Sequence, residues 1–172
     1  MRELLLLRHA KSAWDVPGLD DHARDLAPRG RKAAQKIGRL LAEKNLLPDL
    51  VLCSTATRAV RTLELVREEL PRPLEVRLLD ELYLASEEAM LQLVRAQDDR
   101  VRSLMLVGHD PGLHRLALLL VGGQNPEAIR TGLVRKFPTA ALAQLRFPVE
   151  HWVEVEPGSA ELVAFWKPRE LD

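Results

Sequence analysis

An α/β fold, with a mostly parallel sheet and an antiparallel edge set between helices as a three-layer αβα sandwich, follows from three features of the sequence. Short apolar runs at 4–7, 50–53 and 103–107 are too brief to span a membrane and suit strands buried on both faces, as parallel strands are. Each run passes through a polar turn into sequence whose apolar residues recur at helical spacing, the grammar of parallel α/β units. Two late runs, 141–147 and 161–166, are joined by Pro- and Gly-containing sequence and predict a pair of antiparallel strands at one edge.

Residues 10–27 lack a sustained period and hold Pro17, Gly18 and the acidic pair Asp20-Asp21, which predicts a loop beside whatever the first strand serves. Residues 28–44 place Ala33, Ala34, Ile37, Leu40 and Leu41 at helical spacing, with a basic, solvated face opposite. Pro48-Asp49 interrupts, and after the strand at 50–53 either Ser54 or Thr55 is the expected N-cap of a helix reaching about residue 70. A third strand is expected at 76–79, then a helix at 86–96 with Ser86 as its cap and Glu88 in its first turn. The run 103–107 turns through Gly108-His109-Asp110-Pro111-Gly112 into a helix at 113–121, and 122–138 is polar and irregular. No repeat, low-complexity tract or linker interrupts the 172 residues. They are expected to form one domain, 1–172, large enough to fold without disulfides or a structural metal.

Twenty-five basic side chains balance twenty-five acidic ones, so no global field favours nucleic acid or an anionic membrane, and any anion site must be local. Only seven residues are aromatic, which leaves little for bases to stack on. The single cysteine, Cys53, lies within an apolar run and reads as a packed strand residue. No basic segment followed by a long apolar stretch opens the chain, so a cytoplasmic protein is expected. Arginines outnumber lysines nineteen to six and there are two asparagines, a composition that suits a thermophile or a GC-rich genome equally.

In a parallel sheet the residues just past the strand ends share one crevice. The first strand delivers Arg8 and His9 there, the second Ser54 and Arg58, and the fourth His109. Two arginine forks match phosphoryl oxygens bidentately, and helix N-termini add N–H donors, so a phosphate group is the natural guest. No histidine spacing suggests a zinc motif, and no metal or cofactor is expected. His22, His114 and His151 lack a surrounding motif and read as surface or packing residues; Trp14 lies in the access loop, whereas Trp152 and Trp166 read as packing.

Arg8-His9-Ala10 at a strand end, Ser54-x-x-x-Arg58-Ala59-x-x-Thr62 and the later Gly108-His109 together resemble the histidine phosphatase superfamily, whose fold is phosphoglycerate-mutase-like. The short chain, the Arg8-His9-Ala10-Lys11-Ser12 opening, Leu82-Tyr83-x-Ala85 and the Gly108–Gly112 turn are most similar to its SixA-like phosphohistidine phosphatases. The resemblance implies that His9 attacks phosphorus and is then dephosphorylated by water, that Arg8, Arg58 and His109 stabilise the transferring group, and that Lys11, Ser12 and Ser54 contact substrate. Many relatives use a carboxylate as general acid. Glu81 is the first candidate here, with Asp21 and Asp110 as alternatives. A phosphohistidine substrate relaxes that need, because imidazole leaves phosphorus more readily than an alkoxide does. The implied partner is a phosphorylated substrate, foremost a phosphohistidine-bearing signalling protein. A broad phosphomonoesterase of small metabolites and a non-catalytic phosphate-binding module are the rival expectations; a mutase would need elements to hold both substrate ends that so short a chain hardly supplies.

Overall fold

A computed structural model describes residues 1–171. Its centre is a six-stranded sheet of β1 (Arg2–Arg8), β2 (Leu50–Ser54), β3 (Val76–Leu79), β4 (Ser103–Gly108), β5 (Leu142–Phe147) and β6 (Glu161–Trp166), in the order β3-β2-β4-β1-β5-β6. The strands β3, β2, β4 and β1 are mutually parallel, β5 is antiparallel to β1, and β6 is antiparallel to β5, so β6 again runs with β1. The sheet is therefore mostly parallel with an antiparallel edge, as expected, and the ends of β1, β2, β3, β4 and β6 lie along one edge of it.

Alternation along the strands divides the core in two. Leu4, Leu6, Leu50, Leu52, Leu104 and Leu106 pack toward α3 (Glu87–Arg95) and α4 (Gly112–Val121). Leu5, Leu7, Val51, Cys53, Met105 and Val107 pack toward α1 (Pro28–Glu43) and α2 (Thr57–Glu68). Leu4, Leu5, Leu6 and Leu7 are each 0% exposed, which explains an unbroken apolar run where a half-buried strand would alternate. Pairing of Leu4 with Leu104 and of Leu7 with Val107 brings Arg8 level with Gly108, so the residues that follow both strands emerge side by side.

Two close approaches fix the loops at this edge. A Cβ at Gly30 in α1 would stand 2.2 Å from the Lys11 carbonyl oxygen, and one at Gly112 would stand 1.9 Å from that of Ala85. Only glycine admits the backbone so near.

Local signals were followed unevenly. Ser86 caps α3 as expected, accepting from the Ala89 N–H. Neither Ser54 nor Thr55 caps α2: its N-cap is Ala56, and Ser54 instead accepts the Ala56 N–H at 3.2 Å from a position before the helix. The segment 122–138 contains a short helix, α5 (Pro126–Arg130), capped by Asn125 accepting from Glu127 and Ala128. Trp152 is fully buried, Trp166 half-buried and Trp14 exposed. Among the described residues no helix is long and apolar enough to cross a membrane.

Candidate active site

His9 leaves the end of β1 with its backbone N–H held by the Gly108 carbonyl at 3.1 Å. Its Nδ1 lies 2.7 Å from the Ala10 carbonyl oxygen. A carbonyl only accepts, so the proton sits on Nδ1 and Nε2 keeps its lone pair. Burial, then His109, Arg58 and Arg8, push the His9 imidazolium pKa down to about 3 against the opposing Ala10 carbonyl, which leaves the ring neutral near pH 7. The turn is pinned from α2: Thr62 Oγ1 accepts the Ala10 N–H at 2.9 Å and donates to the Arg58 carbonyl at 2.7 Å.

His109, just past β4, lies with its ring centroid 5.2 Å from that of His9. Its Nε2 is 2.7 Å from Ser54 Oγ, while Nδ1 is buried with no hydrogen-bond partner. Burial, followed by Arg58, lowers its pKa to about 4, so it too is neutral. Arg58 occupies the first turn of α2 and is almost fully buried; Nη1 donates to the Asp21 carbonyl at 2.8 Å and Nη2 to Asp21 Oδ2 at 3.1 Å. Arg8 donates from Nη1 to the Phe137 carbonyl at 2.8 Å and lies 4.0 Å from Asp110, yet its Nε is buried and unpaired. Buried N–H groups without partners are uncommon in folded proteins, and here two side chains with orphaned nitrogens, Arg8 and His109, flank one uncharged nucleophilic nitrogen. Such a set suits an anionic group attacked at its centre. Among the described residues no group of three or more His, Cys, Asp or Glu is placed to hold a metal ion.

The profile of the histidine phosphatase superfamily, branch 1, matches residues 4–83. An uncharacterised Mycobacterium tuberculosis protein is 40% identical over 164 residues, which cover 95% of this chain and all of that one. The crystal structure of a candidate phosphohistidine phosphatase SixA from Agrobacterium tumefaciens superposes with a TM-score of 0.82 at 33% identity, covering 97% of this chain and 98% of the other. The chain belongs to the histidine phosphatase superfamily, branch 1. A second candidate SixA structure, from Nakamurella multipartitia, has the same TM-score at 28% identity and covers 97% of this chain and 96% of its own. The phosphoglycerate-mutase-like fold is thereby the fold of this histidine phosphatase superfamily member.

Within this superfamily member, ring contacts and a hydrogen bond join His9, His109 and Ser54, Arg58 stands against Tyr83, which meets His109, and Arg8 directly precedes His9; the remaining expected residues lie differently. Ser12 is half-buried and its hydroxyl accepts from Arg24, which engages it with the loop. Lys11 is exposed, and its carbonyl accepts the Ala27 N–H. Glu81 is exposed in the single turn Asp80–Leu82, with no hydrogen bond or ion pair among the described residues. Asp21 touches the site directly: its carboxylate accepts from Tyr83, Arg58 and Arg24, and Tyr83 and Arg58 together hold its pKa down at about 2, partly opposed by burial. A carboxylate so held is a poor proton donor and a good anchor. Asp110 has one buried, unpaired oxygen beside Arg8.

Sequence reasoning missed Tyr83 and His22 as site residues. Tyr83 meets His109 edge-on at 5.4 Å and His22 at 4.8 Å. His22 Nε2 is 2.9 Å from Thr55 Oγ1, which donates to Asp80 at 2.6 Å. The cue was the chain's sole tyrosine within a segment already similar to the SixA-like branch; for His22 there was none, because its partners lie thirty or more residues away.

Proposed function

We propose that this protein is a metal-independent phosphatase working through a phosphorylated His9, with protein phosphohistidine as its substrate class. One observation carries the reading: His9 presents an unprotonated Nε2, fixed by the Ala10 carbonyl, between two arginines and a second neutral histidine. In the first step His9 Nε2 forms a bond to phosphorus as the bond from phosphorus to the leaving nitrogen breaks; in the second, water attacks phospho-His9 and releases inorganic phosphate. Arg8 and Arg58 supply fixed positive charge to the equatorial oxygens in both steps. With the Ser54 hydroxyl donating to His109 Nε2, Nδ1 of His109 carries the ring proton and, having no protein partner, is the donor left for the same group. Lys11 and Ser12, immediately downstream of the nucleophile, serve the pocket edge.

Among the described residues the candidate carboxyls Asp21, Glu81 and Asp110 are poorly placed for proton donation, Asp110 lying 4.0 Å from the Arg8 guanidinium, and this favours a phosphoramidate over a phosphomonoester. Asp21 is held ionised by Tyr83 and Arg58, and Glu81 faces solvent. An alkoxide leaving group wants a general acid worth roughly 10²–10⁴ in rate; a departing imidazole asks for less. Rapid-quench mass spectrometry during turnover of a phosphohistidine peptide, in chelator, is expected to trap a phosphoryl group on His9, and His9→Ala to abolish turnover. Preferential hydrolysis of sugar phosphates, or activity surviving His9→Ala, would overturn the reading.

A further inference from the structure

Beside the catalytic turn runs a groove of about 390 Å³ walled by Lys11, Arg29, Lys32, Lys36, Lys167 and Arg169, with no carboxylate in its lining. Its floor includes Ala33 and Pro138, and it reaches Thr139; the next residue, Ala140, donates its N–H to the carbonyls of Arg8 and His9. The groove is thus built onto the backbone that holds the nucleophile. An adjoining depression adds Arg135 and Lys136 and shares Pro138, Lys167 and Arg169.

This clustering opposes stability. Arg29, Lys32 and Lys36 stand at i, i+3 and i+7 on one face of α1, where like charges repel. Among the described residues none of these three, nor Lys11, forms an ion pair, although the chain holds as many acidic as basic side chains. The acidic groups at the same sheet edge lie mostly toward its other end: Asp80 and Glu81 follow β3, and His22, next to Asp21, is bonded toward Asp80 through Thr55, whereas on the basic side Glu170 pairs with Lys167 at 3.7 Å and Asp110 stands beside Arg8 at the centre. Lys167 and Arg169 follow β6, the opposite border of the sheet. The edge that carries His9 is therefore predominantly basic on one half and predominantly acidic on the other.

We propose that the basic groove docks an acidic run of side chains flanking the phosphorylated residue of a protein substrate, an inference that rests on the phosphohistidine-protein reading above. Lysine and arginine stems over Ala33 and Pro138 accommodate the methylenes of glutamates while their ammonium and guanidinium heads meet the carboxylates. A nucleic acid fits less well. No aromatic side chain lines the groove for stacking, and a phosphate backbone continuing across the site would meet the acidic half.

The test uses a phosphohistidine peptide carrying glutamates on one side, its lysine-flanked counterpart and free N-phosphohistidine. With the wild-type protein, kcat/KM is expected to be higher for the glutamate peptide, through KM, with the advantage shrinking as salt rises. In R29E/K32E/K36E the ratio of kcat/KM on the glutamate peptide to that on free phosphohistidine is expected to fall at least tenfold, on the order of several lost charge contacts. K32Q/K36Q, which removes charge without reversing it, provides the same ratio if the reversal variant fails to fold. Should no phosphohistidine compound be hydrolysed, the functional reading fails, and docking is judged separately by fluorescence anisotropy of an unphosphorylated glutamate peptide, which the variants should bind more weakly. An unchanged ratio together with unchanged peptide binding overturns the proposal, as does tighter binding of a single-stranded oligonucleotide than of the glutamate peptide.

Discussion

At the scale of single residues, the decisive chemistry is a proton's location. The carbonyl of Ala10 holds it on His9 Nδ1, and burial keeps the ring from taking a second one. That arrangement has a cost in stability with a definite sign. His9 and His109 titrate near 3 and 4 when folded, against about 6.5 for a free imidazole, so below about pH 6.5 the unfolded chain binds more protons than the folded one. Folding stability is expected to drop as pH falls through that window, by about 1.4 kcal/mol per pH unit for each histidine. Urea titrations at several pH values should show a shallower fall in His9→Asn; equal slopes would contradict a neutral, buried His9. A second expectation concerns the carboxyl in the turn after β3. Glu81→Gln should change phosphohistidine turnover less than about twofold, whereas a loss of the roughly 10²–10⁴ expected of a general acid would give Glu81 that role. Arg8, His9, Arg58 and His109 were legible because each follows a strand or opens a helix inside a recognisable string. His22 and Tyr83 were not, and Asp21 was legible only as a candidate acid and not as the Arg58 anchor, since what unites the three is a fold of the access loop across α2, which no local spacing encodes.

Elements place those residues, and they do so through contacts of very small tolerance. The start of α4 presses on the segment before α3 so closely that a methyl group at Gly112 would meet the Ala85 carbonyl. Gly112→Ala is expected to cost about 1–3 kcal/mol in forced backbone movement, read as a fall in Tm of about 2–4 °C per kcal/mol for a chain of this size. Because the same shift drags on His109, turnover should suffer as well; a variant with the parental Tm would mean the contact relaxes freely. Strands were easier to read than helix starts. Unbroken apolar runs announced β1, β2 and β4, whose two buried faces leave no alternative, while the exposed β3 carried a weak signal. The start of α2 went astray because Ser54 looks like a cap locally, yet its hydroxyl is engaged by His109 across the crevice. Function outbid helix propensity there.

Over the whole molecule, Cys53 offers a clean reporter of cooperativity. It is 0% exposed in β2, inside the sheet, and burial pushes its thiol pKa up to about 12. Thiol reagents should leave the native protein untouched and label it only in step with loss of the circular dichroism signal; labelling in native buffer at the speed of a free thiol would mean the β2 end of the sheet opens on its own. Mostly parallel topology and the division of the core were legible from strand runs and helical periods, but the charge polarity of the catalytic edge was not. Balanced composition conceals it, because segregation arises only when strand order sends β3 and β6 to opposite borders. One consequence lies in the clasp between Asp21 and Arg58. A resident carboxylate already engages the guanidinium that a phosphoryl oxygen will seek, so loop fastening and ligand binding draw on the same few N–H donors. By reciprocity, a phosphate analogue that recruits Arg58 must loosen the segment around Asp21, and whatever tightens that segment must weaken the analogue by the same factor. The access loop is thus a thermodynamic competitor of the substrate, and hydrogen exchange at 20–24 should quicken when the site is filled.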